Sequence, residues 1–196
     1  MKTDIILAGV GGQGILSIAT VIGEAALHEG LLMKQSEVHG MSQRGGDVQS
    51  HLRISDQTIY SDLIPMGKAD LILALEPMEA LRYLPYLSPN GWLVTNINPI
   101  KNIPDYPELE QIHVALNRID RKVVLHVDEI AQEMGSIRSA NMVLLGAATP
   151  FLKMHYENIQ DGIRRIFQRK GDGIVNMNLS ALEMGRKVSN TSIQGI

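Results

Sequence analysis

The chain has 196 residues, of which 44% are apolar and 20% charged, and its formal net charge is −3. That is the makeup of one globular domain, or one with an appendage, able to bury roughly 70% of its unfolded surface. The slight negative charge offers no broad basic field, so no nucleic-acid partner is expected.

Cysteine is absent, which excludes disulfides, thiolate catalysis and iron–sulfur ligation by this chain. The six histidines are scattered without H-x-x-x-H or H-E-x-x-H spacing, so no metal site is expected. No apolar stretch approaches the roughly 18 residues that cross a bilayer. Met1 to Asp4 leads straight into a strand with no signal-peptide pattern, and the expected location is the cytoplasm.

Taken in order, Asp4 to Gly30 reads as strand, glycine turn and long amphipathic helix. Gly9, Gly11 and Gly14 stand at G-x-G-x-x-G spacing with Gly12 and Gln13 between. Such a turn needs positive φ and lets backbone N–H groups approach an anion, and the helix beginning near Ile15 aims its positive dipole end at the same place. Close packing of helix on strand selects glycine at the same positions, so the spacing alone leaves both readings open. A nucleotide-hydrolysing P-loop would place Lys and Ser/Thr after the last glycine, where Ile15 and Leu16 stand.

Leu31 to Gln35 reads as a second strand. Glu37 lies near the position at which a dinucleotide-binding fold places an acidic ribose clamp. A second crossover helix should follow there. Instead comes the loop Ser36 to Gly46, then Val48 to Ile54 and Thr58 to Tyr60, two β-rich runs around Ser55-Asp56-Gln57 that read as an antiparallel hairpin. Asp70 to Leu75 is an apolar buried-type strand. A helix opens at Glu76-Pro77 and runs through Leu87, with Pro85 expected to kink or end it. Ser88 to Gly91 is a turn by composition, Trp92 to Asn96 a strand, Glu108 to Ile119 a helix and Lys122 to Val127 a strand, with Asp128 capping a short helix to Met134. From Ser136 onward the pattern is helical: a run from Ser139 through Leu152, then Glu157 to Lys170 and Asn178 to Val188.

The expected fold is therefore α/β. It is a Rossmann-like, mostly parallel sheet with helices on both faces, an antiparallel hairpin at the edge and a C-terminal helical cap. One domain spans residues 1–196, with an α/β core at 1–135 and a helical part at 136–196.

Two glycine-rich loops now stand at carboxyl ends of strands: Gly9-Val10-Gly11-Gly12-Gln13-Gly14 and His39-Gly40-Met41-Ser42-Gln43-Arg44-Gly45-Gly46. With the H-L-R-I strand after the second loop, the later D-L-I-L-A-L strand and the N-M-V-L-L-G helix start, they resemble the gamma-type subunit or domain of 2-oxoacid:ferredoxin oxidoreductases. The H-G-M-S-Q-R-G-G loop resembles the beta subunit of the indolepyruvate branch. The resemblance covers most of residues 4 to 150. It implies a single pyruvate/ketoisovalerate oxidoreductase gamma-type domain and a complex that decarboxylates an aryl-2-oxo acid, sends electrons to ferredoxin and forms an acyl-CoA. It also implies a large alpha subunit that carries thiamine diphosphate and 4Fe–4S iron–sulfur clusters, with CoA as co-substrate. This chain would be the accessory subunit, inactive alone, with no catalytic residue of its own.

On that resemblance the candidate binding residues are Gly11, Gly12, Gln13 and Gly14 in the first loop and Ser42, Gln43, Arg44, Gly45 and Gly46 in the second. Arg44 beside two glycines suits anion capture, and a subunit-contact arginine is an equal reading. Glu37 could clamp a ribose or make a surface ion pair, and His39 could titrate near neutrality or sit at an interface. Two other classes stay open: a free-standing NAD(P)-dependent oxidoreductase, and a CoA- or nucleotide-binding regulatory module. The sequence leaves open whether the isolated chain pairs with itself.

Overall fold

The apolar run Ile5-Ile6-Leu7-Ala8 forms the middle of β1 (Lys2–Val10), a strand buried from Thr3 onward. Because successive side chains of a strand point to opposite faces, Ile5 and Leu7 enter one core while Ile6 and Ala8 enter another. The computed structural model describes residues 1–39, 46–101 and 103–194.

The remaining strands are β2 (Leu32–His39), β3 (Asp47–Ser55), β4 (Ala69–Ala74), β5 (Leu87–Asn96) and β6 (Lys122–Leu125). They form one sheet in the order β2-β3-β1-β4-β5-β6. β1, β4, β5 and β6 are parallel, and β3 alone runs against its neighbours β1 and β2. The sheet is thus mixed and mostly parallel, as expected, with an antiparallel hairpin at its edge.

That hairpin is built differently from the sequence expectation. Its arms are β2 and β3, and Thr58–Tyr60 forms no strand. β3 pairs with β1 from Lys2↔Ser55 to Val10↔Asp47 and with β2 from Leu32↔Ser55 to His39↔Val48. Both edges of β3 are therefore taken, and the chain after Ser55 has no ladder left to join. β2 also continues to His39, four residues beyond Gln35, because β3 extends far enough to pair with it.

Among the described residues seven α-helices cover the two faces: α1 (Ile15–His28), α2 (Pro77–Arg82), α3 (Leu109–Asn117), α4 (Val127–Glu133), α5 (Ala140–Ala148), α6 (Tyr156–Phe167) and α7 (Asp172–Gln194). α2 and α3 pack on the smaller core with Ile72, Leu93, Ile112 and Leu116. The larger core takes α1 and α4 to α7. α2 starts with Pro77 in its first turn and with Glu76 accepting from the Glu79 N–H at 2.8 Å, a side-chain N-cap that satisfies one orphan donor. It stops at Arg82, and Pro85 sits in the short 3₁₀ turn that follows. Asp128 stands two residues past the cap of α4; His126 holds that position.

α5 is buried from Asn141 to Ala148 and lies directly against α7. A Cβ on Gly146 would come within 2.0 Å of the Leu182 carbonyl oxygen, and one on Gly185 within 1.8 Å of that of Val143. The helices meet backbone to backbone, closer than helices separated by larger side chains. The C-terminal helices thus share one core with β1, and that contact holds the start of α5 over the glycine turn.

Candidate functional site

The site lies beyond the carboxyl ends of β1, β4 and β5, where ligands sit in open α/β sheets. β1 ends at Val10, and the glycine turn reverses the chain into α1. Gly12 has φ 104° and Gly14 φ 85°, the left-handed region that glycine enters without steric cost. Gly11 donates its N–H to the Gly46 carbonyl at 2.8 Å. The Gln13 side chain accepts from the Val10 N–H at 2.7 Å and donates to the Leu75 carbonyl at 2.8 Å. One amide thereby ties the ends of β1 and β4, so Gln13 braces the turn through both of its polar ends. Gly14 holds the N-cap position of α1, and no side chain caps that helix.

Asn141, at the start of α5, donates to the Gly14 carbonyl at 3.2 Å. Two helix N-termini therefore meet at one turn. Between them and α7 is a cleft of about 580 Å³. Its floor is Gly12, Gln13, Gly14 and Ser17, its wall runs from Ser136 to Asn141, and Ile174, Met177 and Asn178 close the far side. Arg138 and Lys170 bring positive charge to the lining. Its one acid, Asp128, accepts from Asn96 Nδ2 at 2.9 Å, while Asn96 Oδ1 accepts from the Val127 N–H at 3.1 Å. A helix start without a side-chain cap, two cations and an apolar lip suit a ligand with an anionic end and an apolar end.

The opposite face of the sheet carries a second group of polar residues. Glu76 and Glu79 are buried there. Glu76 accepts from the Tyr106 hydroxyl, and Glu79 pairs with Arg82 at 2.8 Å. Burial pushes the Glu79 carboxyl up, against the pull of Arg82. Burial also raises the Tyr83 hydroxyl to about 12, helped by Asp47 and Glu79. Both carboxylates already hold protein donors, so the cluster staples α2 in place.

Of the residues singled out from sequence, Gly11, Gly12, Gln13 and Gly14 stand together in the turn. Gly46 is joined to them through its carbonyl. Ser42, Gln43, Arg44 and Gly45 lie outside the described residues, as does the side chain of His39. Glu37 sits on β2, with β3 between it and β1, and it contacts Gln35. A ribose clamp belongs on the parallel strand next to the glycine turn, so the insertion of β3 removes the geometric basis of the NAD(P) reading. Sequence reasoning missed Arg138, Asn141, Lys170 and Asn178. The N-M-V-L-L-G stretch marked Asn141 as the start of a helix, but nothing local showed that this helix begins at the glycine turn.

Residues 4–188 match the family described as pyruvate ferredoxin/flavodoxin oxidoreductase, and the chain belongs to that family. Among its relatives is the indolepyruvate oxidoreductase subunit IorB of Archaeoglobus fulgidus, 38% identical over 194 residues that make up 94% of each protein. Two solved structures share the fold. The gamma subunit of a keto/oxoacid ferredoxin oxidoreductase from Geobacter sulfurreducens superposes with a TM-score of 0.69 at 23% identity, over 96% of this chain and 99% of that one. The 2-oxoglutarate:ferredoxin oxidoreductase of Magnetococcus marinus, solved with 2-oxoglutarate, coenzyme A and succinyl-CoA bound, superposes with a TM-score of 0.77 at 22% identity. There the match covers 97% of this chain but only 31% of the other. In that enzyme the fold is one part of a longer polypeptide.

Proposed function

We propose that this chain is the small subunit of a 2-oxoacid:ferredoxin oxidoreductase whose substrate is indolepyruvate or a related arylpyruvate. The observation that carries this reading is the 38% identity to the Archaeoglobus subunit, spread over 94% of both chains. In the overall reaction the 2-oxo acid loses carbon dioxide, its acyl group forms a thioester with CoA, and the two electrons released pass to ferredoxin.

The residues present do not fit the redox cofactors of such an enzyme. The chain has no cysteine, and no group of three or more His, Asp or Glu side chains among the described residues could hold a metal. Thiamine diphosphate and the iron–sulfur clusters are accordingly assigned to the large alpha subunit, which also serves ferredoxin. No helix among the described residues is long and apolar enough to cross a membrane, in keeping with work alongside ferredoxin in the cytoplasm.

The contribution of this chain is the crevice at the glycine turn, where CoA is the proposed ligand. Support comes from the uncapped start of α1, from the bond joining Gly11 to Gly46, and from Arg44 two residues before Gly46. Reconstitution tests the reading: the isolated chain should neither decarboxylate arylpyruvate nor reduce a viologen dye, and addition of the alpha subunit should restore turnover. Dye reduction by this polypeptide alone, supplied with thiamine diphosphate, would refute it. In the reconstituted enzyme, Arg44→Ala should weaken CoA use roughly tenfold or more, the scale of one lost charge-assisted hydrogen bond. Arg44→Lys should recover part of that, since an ammonium lacks the planar fork. An unchanged CoA dependence with weakened assembly would move Arg44 to the subunit contact.

A further inference from the structure

The cleft between the wall at residues 136–141 and α7 carries polar groups that the fold itself leaves unused. Asn141 and Asn178 are only 8% and 6% exposed, and they line it from the two helices that meet backbone to backbone. Each gives its side-chain N–H group to a carbonyl: Asn141 Nδ2 donates to Gly14 at 3.2 Å, and Asn178 Nδ2 to Ile174 at 2.8 Å. A carbonyl partner fixes which end of an amide faces it, because the reversed amide would set oxygen against oxygen. The two Oδ1 atoms are therefore the free ends. Neither accepts from a donor among the described residues, and neither is sealed from solvent. Polar atoms in a protein interior ordinarily have partners, so two unmatched acceptors in one cleft are placed to meet donors brought by a ligand.

The rim is of another kind. Arg138, in the 3₁₀ turn before α5, and Lys170, in the 3₁₀ turn before α7, are exposed and line the same cleft. Among the described residues neither has a carboxylate partner, and Lys170 Nζ lies 5.4 Å from the centre of the Phe167 ring. Other exposed cations, Arg164 and Lys187 among them, do have acids beside them. Ile137, 62% exposed on the wall, and Ile174, 45% exposed on α7, turn apolar surface to solvent at the same opening.

Three demands thus fall on one ligand: hydrogen-bond donors inside, an apolar body at the opening and an anion at the rim. A phosphorylated nucleoside meets them together. The amino group of its base and the hydroxyls of its ribose donate, the face of the base is flat and apolar, and phosphate suits an unpaired Arg and Lys. Free phosphate or an ionised dicarboxylate brings no donors, and an acyl chain brings neither donors nor charge. We propose that this cleft is a nucleotide site for phosphorylated adenosine, the end of CoA remote from its thiol. Asn141 and Asn178 accept from base and ribose, and Arg138 and Lys170 hold phosphate. The proposal deepens the CoA reading of the crevice and rests on it for the choice of adenine. Free ADP offers the same groups, and competition separates the two sources.

Isothermal titration of the isolated full chain with adenosine 3′,5′-bisphosphate tests the site without any turnover. The wild type should bind it one to one. Arg138→Ser combined with Lys170→Ser, both at exposed positions, should weaken binding roughly tenfold or more at an unchanged melting temperature. Lys68→Ser combined with Arg118→Ser removes the same charge from exposed positions outside the cleft and should change nothing. Asn178→Leu, which keeps the bulk and offers no acceptor, should also weaken binding. Should that variant fail to fold, NMR of the wild type replaces it, and the methyl signals of Ile137 and Ile174 should shift as the probe is added. Displacement of the probe by CoA assigns the nucleotide of CoA, whereas displacement by ADP and not by CoA overturns that choice of source. No binding by the wild type at millimolar probe, or equal affinity in the Arg138 and Lys170 double variant, overturns the site. Failure of the wild-type chain to restore turnover with the alpha subunit refutes the functional reading instead and leaves the binding result standing.

Discussion

At Gly14 one missing side chain serves two needs. The φ of 85° suits glycine, and the space where a Cβ would project is filled by Asn141, whose Nδ2 would lie 2.6 Å away. Gly14→Val should therefore cost on the order of 1–3 kcal/mol or prevent folding. Gly12→Ala meets backbone strain alone, since nothing lies within 4 Å of its Cβ position. Chemical denaturation of both variants checks the ranking, and an unperturbed Gly14→Val would show that α5 does not press on the turn. A second residue ties stability to pH. His51 is only 5% exposed, and burial lowers its pKa from the usual 6.5, with Asp62 pulling it up and Arg53 pushing it down. Its Nδ1 must stay unprotonated to accept from Ile64. The unfolded chain therefore binds a proton more readily than the folded one, and the stability present above pH 6.5 is lost as pH falls through that value toward the folded pKa. His51→Asn, which keeps an acceptor and cannot titrate, should flatten the dependence of melting temperature on pH in that window. An unaltered slope would assign the effect to another group.

Among the elements, the α5–α7 contact is the most sensitive to change. Gly146→Ala would drive a methyl group to 2.0 Å from a backbone oxygen of α7, and backbone cannot swing aside as a flexible side chain can. The helices must part, which costs several kcal/mol or abolishes folding. Gly173→Ala, in open space on α7, is the control. Thermal unfolding of both should separate them clearly, and a Gly146→Ala protein as stable as the control would mean that the helices have room to spare. The elements differ in how plainly they could be read. α1 was legible from its apolar stripe, and β1 and β4 from short buried runs, whereas α2 stops at Arg82, short of the expected end at Leu87. The partners of β3 were not legible. A strand's alternation reports which faces are buried, whereas its neighbours are decided by which edges the rest of the sheet leaves open. The full reach of α7 was also hidden, since its first turn, Asp172-Gly173-Ile174-Val175, begins with poor helix formers that the tertiary contact overrides.

For the molecule as a whole, composition and architecture bear on the proposed division of labour with a large subunit. A polypeptide without cysteine cannot hold the clusters of a ferredoxin-linked enzyme, which is why activity is expected only after reconstitution. The fold brings two helix starts, a glycine turn and two cations to one end of the sheet.

The sequence by itself determined what local pattern and chemistry can carry. It set the strand–turn–helix at the start, the glycines at Gly12 and Gly14, the exclusion of thiolate ligands and the motifs shared with the family. Tertiary structure alone decided that β3 lies between β2 and β1, which takes Glu37 away from the glycine turn. It also decided that Gln13 braces two strand ends and that Asn141, 127 positions along the chain, sits on Gly14. Burial period and turn chemistry are written within a few neighbouring residues. Strand order and the meeting of distant helix ends come from the packing free energy of the whole core, to which every element contributes and which no single stretch encodes.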